Sequence, residues 1–300
     1  MCTIRCVDAE LQKNLAELLE IARREDVGPG DVTTSLMVGA SHPALFALLA
    51  KSPCVLAGCE CADAIVRAFD TNLKVSWCSG VGDGSRFTET PTTLATIDGT
   101  LASLLSVERT LLNFLQRMCG VATLTRAFVD AIAGTHAAIF DTRKTIPGWR
   151  KLDKYAVRCG GGRNHRDGLF DAVLIKDNHL AGVETRRLAG YVFEMLNRLA
   201  ESGRKVAFVE VEADSLEQVE ALLSVMGIDV ILLDNFSVEQ LRAAVELRDD
   251  FGLRGKVELE ASGGVNLSTV RAIAETGVER ISVGAITHSA TAVDLSMERV

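Results

Sequence analysis

The chain has 300 residues, of which 48% are apolar and 24% charged, and its formal net charge is -8. That length and composition suit one large or two smaller folded domains and exclude a disordered chain. The acidic balance argues against nucleic acid as a partner, since such a surface needs a basic field over a whole face. No apolar run approaches the ~20 residues of a membrane helix and no signal-like segment opens the chain, so no membrane association and a cytoplasmic location are expected.

Leu11, Leu15, Leu18, Leu19 and Ala22 follow helical spacing after Asp8, a candidate cap, and the helix ends in the turn-rich VGPGDVTT. Between Pro43 and Thr100 the pattern shifts to short strand-like runs, ALFALLAK, LKVSWC and TLATIDGT, interrupted by glycines. A small sheet packed on helices is expected there. Leu101 to Gly134 reads as one or two helices with Gly120 as a break, and the domain boundary is placed there. The eight cysteines are dispersed and contain no paired CxxC, so most are expected to be reduced and buried; Cys59 and Cys61 are a minor candidate for metal or redox work.

Beyond Gly120 the chain alternates. Strand-like runs at AAIFDT, DAVLIKD, VAFVEVE, DVILLD, VELEAS and RISVGA are separated by helical patterns such as SLEQVEALLSVMG and SVEQLRAAVELRDD. Repeated βα units joined by right-handed crossovers predict a parallel, barrel-like sheet with its site beyond the carboxyl ends of the strands.

The residues at those ends all carry chemistry. They are Arg143-Lys144, Lys176, Glu210 and Glu212, Asp234, Ser262-Gly263-Gly264, and Gly284. Gly263 and Gly264, ahead of a helix expected to begin near Leu267, can bring backbone N–H groups to a phosphate, with Gly284 as a second donor turn; tight turns alone would also explain them. Glu212 and Asp234 end neighbouring strands and can meet on Mg2+ or a hydroxyl-rich ligand, or pair structurally with a lysine. Glu210 shares a strand face with Glu212 and is read as its supporting neighbour. Arg143 and Arg166 suit carboxylates, because a planar guanidinium makes paired hydrogen bonds. Lys144 and Lys176 either hold anionic oxygens or serve as a Schiff-base nucleophile. His165 either donates to a carboxylate or caps a turn, and Gly160 to Gly162 let the preceding loop wrap a ligand. His179 and His288 read as structural.

The motifs EDVGPGDVTT (25 to 34), SVERTLLNFLQ (106 to 116), DTRKTIPGWR (141 to 150), GGGRNHR (160 to 166), LIKDNH (174 to 179), VEVE (209 to 212), LLDNF (232 to 236) and EASGGV (260 to 265) occur in order along the chain. Together they resemble the quinolinate phosphoribosyltransferase family, the carboxylating nicotinate-nucleotide pyrophosphorylases among the type II phosphoribosyltransferases of NAD biosynthesis. The resemblance implies an amino-terminal α/β sandwich, residues 1 to 120 joined by 289 to 300, and an open six-stranded parallel α/β barrel, residues 121 to 288. It implies transfer of phosphoribosyl from 5-phosphoribosyl 1-diphosphate to quinolinate with Mg2+, giving nicotinate mononucleotide, diphosphate and carbon dioxide.

By the same resemblance Arg143, His165, Arg166 and Lys176 hold the quinolinate carboxylates, and Arg109 reaches that pocket from the partner of a homodimer or of a hexamer built as a trimer of dimers. Lys144 and Lys176 face the diphosphate, Glu212 and Asp234 take the ribose hydroxyls and metal, and Ser262, Gly263, Gly264 and Gly284 hold the 5-phosphate. Arg163 is an additional cation in the glycine loop. The competing readings are a nicotinate phosphoribosyltransferase that does not decarboxylate, a molybdenum-transport-associated relative, and, in another class, a Schiff-base aldolase using Lys144 or Lys176.

Overall fold

The computed structural model describes residues 9–38 and 42–300; Asp8, the candidate cap, lies outside them, as do Cys2 and Cys6. In chain order the elements are α1 (Ala9–Asp26), α2 (Val32–Met37), β1 (Pro43–Ala50), β2 (Cys54–Val55), α3 (Cys59–Arg67), β3 (Lys74–Trp77), β4 (Arg86–Phe87), β5 (Thr92–Thr100), α4 (Leu101–Ala131), β6 (Ala138–Phe140), α5 (Arg150–Cys159), β7 (Val173–Ile175) and α6 (Thr185–Glu201). There follow β8 (Val209–Ala213), α7 (Leu216–Leu223), β9 (Val230–Asp234), α8 (Val238–Asp250), β10 (Glu258–Ser262), α9 (Val270–Ala274), β11 (Arg280–Ser282), α10 (Ala285–His288) and β12 (Leu295–Arg299).

Two compact units emerge: Met1–Arg126 with Thr145–Gly161 and Ile286–Val300, and Ala127–Lys144 with Gly162–Ala285. The first is an antiparallel sheet in the order β12-β1-β5-β3 combined with helices. Leu11, Leu15 and Leu19 form the buried stripe of α1, and α2 starts at Asp31, whose carboxylate accepts the Thr34 N–H at 2.9 Å. A helix therefore forms inside the segment that the glycines and proline mark as a turn. The fragment 145–161, including α5, packs with this unit rather than with the barrel residues that flank it in sequence. Arg117 and Asp153 make a two-pronged ion pair there, and Tyr155 hydrogen-bonds Asp83, whose other oxygen caps α3 through the Gly58 and Cys59 N–H groups at 2.7 and 3.0 Å.

Gly120 is not a helix break. It lies inside the continuous 31-residue α4, where a Cβ would stand 2.2 Å from the Thr291 carbonyl oxygen. Its glycine serves a close backbone approach, which a single sequence cannot distinguish from a breaker. Cys59 and Cys61 occupy the first turn of α3 as free thiols. Burial is the main reason that both are pushed up, Cys61 to about 12, so neither is a thiolate at neutral pH.

The second unit is a six-stranded parallel sheet in the order β6-β11-β10-β9-β8-β7. Each predicted apolar run supplies one strand. The edges β6 and β7 do not pair with each other, so the barrel is open. Ser215 and Ser237 cap α7 and α8, the latter in a capping box with Gln240, which fixes where two of the crossovers turn back. No helix among the described residues is long and apolar enough to cross a membrane.

Candidate active site

A strand exposes alternate residues on one face, so Glu210 and Glu212 on β8, Leu232 and Asp234 on β9, and Glu260 and Ser262 on β10 point into the barrel. Their carboxyl-end members open into a cavity of about 560 Å3. Arg143, Lys144, His165, Arg166, Lys176, Glu212, Asp234, Ser262, Gly263 and Gly264 all line it. Gly284 does not, and Ser282, one strand period earlier, takes its place. Arg109 belongs to the first unit, exposed on α4. A larger cavity of about 760 Å3 lies in that unit between α1 and α3, but it offers mixed surface charges and no converging strand ends. Chemistry, not volume, selects the barrel cavity.

At one side of this cavity stand the two guanidinium groups. Arg166 is buried, and its pKa is held below the usual arginine value first by desolvation and then by the Arg143 cation. Two such cations brought together call for an anion with more than one oxygen pair. Lys176 is half exposed with its Nζ 3.4 Å from Glu212. A Schiff-base nucleophile needs a desolvated amine, and neither Lys176 nor Lys144 is buried.

Opposite them, Asp234 accepts from the Asn235 side chain at 2.7 Å. Asn235 sits in the left-handed region at φ 57° and donates its N–H to the Ser262 carbonyl at 2.9 Å. The next turn carries Gly263 and Gly264 at φ 96° and 59°. A Cβ on Gly263 would fall 2.1 Å from Asn235 Oδ1, so the two turns interlock through a position that admits only hydrogen. The helix expected near Leu267 begins only at Val270 and has five residues. Any anion here is therefore met by the loop backbone and Ser262, not by a helix end.

A charged array reaches the cavity through His165 and Glu260. Glu210 and Glu260 are both fully buried, and His165 Nε2 stands 2.8 Å from Glu210 and 3.5 Å from Glu260. Arg280 donates from Nε to Glu260 at 2.6 Å and stacks over Phe140, 4.0 Å from the ring centre. Burial pushes Glu210 up to about 7 and raises Glu260, the latter helped by its carboxylate neighbour. His165, Glu210 and Glu260 are the single group of metal-type ligands whose atoms gather within 4.8 Å among the described residues. The Arg280–Glu260 pair at 2.6 Å is its one charged contact held by a hydrogen bond; both Glu210 oxygens are buried and accept none. Arg163 is exposed; its backbone pairs with Ile139 and Asp141, and it does not line the cavity. His179 accepts the Lys176 N–H at 2.8 Å.

The family model of the quinolinate phosphoribosyl transferase C-terminal domain matches residues 121–298, and that of its N-terminal domain matches residues 31–119. A Mycobacterium leprae protein named nicotinate-nucleotide pyrophosphorylase [carboxylating] is 42% identical over 281 residues, 92% of this chain and 94% of its own. The chain belongs to the quinolinate phosphoribosyltransferase family. A solved structure of NadC from Streptococcus pyogenes superposes with a TM-score of 0.87 at 35% identity, covering 99% of this chain and all of that one. The nicotinate-nucleotide pyrophosphorylase of Francisella tularensis gives a TM-score of 0.85 at 35% identity, with both chains fully covered. Human nicotinic acid phosphoribosyltransferase shares the fold alone, at 13% identity and a TM-score of 0.55.

Thr142, Asn235, Glu260 and Ser282 also line the family's cavity in this chain and were not singled out from the sequence. Period-two counting back from Ser262 and Gly284 would have found Glu260 and Ser282. Asn235, directly after a strand-ending aspartate, had the composition signal of a left-handed turn.

Proposed function

We propose that the protein transfers phosphoribosyl from 5-phosphoribosyl 1-diphosphate to quinolinate with loss of carbon dioxide, yielding nicotinate mononucleotide and diphosphate. The observation that carries this is one cavity holding paired guanidiniums, Arg143 and Arg166, across from paired strand-end acids, Glu212 and Asp234. A dicarboxylate suits the first pair and a ribose the second.

As diphosphate departs with the C1′–O electron pair, positive charge grows on the ribose ring; Glu212 and Asp234 stabilise it, while Lys144 and Lys176 stabilise the leaving group. The pyridine nitrogen lone pair forms the new bond to C1′. The ring nitrogen is then cationic, so the pair left at C2 when carbon dioxide leaves is stabilised next to it and is quenched by a proton. The ammonium groups lining the cavity are the acids at hand. Oxygen-only donors with a polyphosphate beside them suit Mg2+, which Glu212 and Asp234 would hold; the ion supplies positive charge to the diphosphate.

Purified protein given quinolinate, 5-phosphoribosyl 1-diphosphate and Mg2+ is expected to form nicotinate mononucleotide, detected by chromatography, in amounts equal to the carbon dioxide released. Absence of that product with both substrates present would remove the proposal.

Arg109 completes the acceptor pocket of a second copy in a homodimer or a trimer of dimers, and the location is the cytoplasm. Arg109→Ala is expected to raise the quinolinate KM by about 10- to 100-fold, the worth of one hydrogen bond to a charged group. Mixing this variant with Lys144→Ala should restore activity, because a mixed dimer holds one intact pocket. Wild-type kinetics in Arg109→Ala would refute the shared site.

A further inference from the structure

We infer that Asn235 is a positioning residue for 5-phosphoribosyl 1-diphosphate, holding the Asp234 carboxylate in fixed relation to the turn at Ser262 and Gly263. The inference rests on the proposed reaction and names how its phosphoribosyl end is shaped.

Left-handed backbone is costly for residues other than glycine, and Asn235, at φ 57°, is the one such residue with positive φ among the described residues. A glycine would take this turn with less strain. The side chain does what a glycine could not. Its Nδ2 donates to Asp234 Oδ2 at 2.7 Å, and its Oδ1 lies against Gly263, where a Cβ would stand 2.1 Å away. The carboxylate decides which end of the amide faces it, because only the NH2 group can donate. The backbone adds a third link, from the Asn235 N–H to the Ser262 carbonyl at 2.9 Å.

Asp234 closes β9 and pairs in register with Ser262, the last residue of β10. Among the described residues Asn235 is the one hydrogen-bond donor to the Asp234 carboxylate, so the orientation of that acid depends on a single amide. The same amide packs on the glycine turn. One residue thus fixes the acid proposed for the ribose against the turn proposed for the 5-phosphate. Arg143 and Arg166, proposed for the acceptor, lie on segments next to the edge strands β6 and β7, so the effect is expected at the phosphoribosyl end alone.

The test uses the full-length enzyme as wild type, Asn235→Asp, Asn235→Gly, Gly263→Ala and the double variant Asn235→Gly with Gly263→Ala. Aspartate keeps the size and tolerates a left-handed turn, but it presents an oxygen to Asp234 in place of a donor. Glycine takes the turn freely and removes the amide. Each single Asn235 variant is expected to raise the KM for 5-phosphoribosyl 1-diphosphate by about 10- to 100-fold, as for a lost hydrogen bond to a charged group, with the quinolinate KM changed less than about twofold. An unchanged KM for the phosphoribosyl substrate, equal increases in both KM values, or loss of the folded circular dichroism spectrum in Asn235→Gly would each overturn the inference.

The double variant reads the interlock itself. Without the Asn235 side chain, two of the three atoms nearest an added Gly263 methyl group are gone, and the Asn235 nitrogen at 2.9 Å remains. Because residues in contact are not additive, Gly263→Ala should raise the phosphoribosyl KM less than about 10-fold in the Asn235→Gly background, against about 30-fold alone. Equal factors in the two backgrounds would also overturn the inference. A wild type inactive on quinolinate would instead defeat the proposed reaction; an active wild type beside indifferent Asn235 variants defeats only this inference.

Discussion

Arg166→Lys is expected to lower kcat/KM for quinolinate by about two to three orders of magnitude while leaving the protein folded. Charge is conserved in this substitution, so a purely electrostatic role would tolerate it. The fork is not conserved: a guanidinium meets a carboxylate with two parallel N–H groups, and an ammonium offers a single point. Arg166 is nearly buried and faces Arg143, so water cannot replace the lost contact and the acceptor carboxylate is left under-satisfied at a worth of about 1.5 to 3 kcal/mol per hydrogen bond. The KM for 5-phosphoribosyl 1-diphosphate should hardly move. Steady-state kinetics with each substrate varied in turn checks this, and a Lys variant within threefold of wild type would contradict the carboxylate assignment.

The second large effect is expected at Gly263. A methyl group there would meet Asn235 Oδ1 at 2.1 Å and the Asn235 amide nitrogen at 2.9 Å, and the backbone sits at φ 96°. The β9 and β10 turns must separate to admit it, which pulls Asp234 and Ser262 apart. Gly263→Ala should raise the KM for 5-phosphoribosyl 1-diphosphate by about 30-fold or more, a cost of about 2 kcal/mol that is ordinary for a strained backbone position. Gly264→Ala is the control. Nothing lies within 4 Å of its Cβ, and it bears only the left-handed penalty of about 1 to 2 kcal/mol, without the clash. Calorimetric binding of the diphosphate substrate to the two variants distinguishes them; equal affinities would show that the interlocked turns do not shape the phosphate end.

Much of this architecture was legible because two periodicities are strong. Six apolar runs, each ended by a charged or glycine residue, announce parallel strands with chemistry at one end, and all six form the sheet. Arg143, Lys176, Glu212, Asp234 and Ser262 stand at or just beyond those ends, and all line the cavity. What failed depends on geometry that a linear sequence lacks. Gly120 reads as a breaker until the Thr291 backbone is seen against it, and the α2 helix hides behind the glycines and proline that precede its Asp31 cap.

The buried array was only half legible. Glu210 shares a strand face with Glu212, but its nearness to His165, 45 residues earlier and 2.8 Å away, exists only inside the barrel. Gly284 reads as a second phosphate turn in the sequence, and Ser282, one period earlier, is the residue of that strand that lines the cavity.

The most direct measurement offers quinolinate and nicotinate at equal concentration to the enzyme with limiting 5-phosphoribosyl 1-diphosphate and Mg2+, with the quinolinate labelled in its 2-carboxylate. Carbon dioxide carrying the label should appear in step with nicotinate mononucleotide, with quinolinate consumed and nicotinate untouched. Formation of the mononucleotide from nicotinate without labelled carbon dioxide would contradict a cavity built for a dicarboxylate.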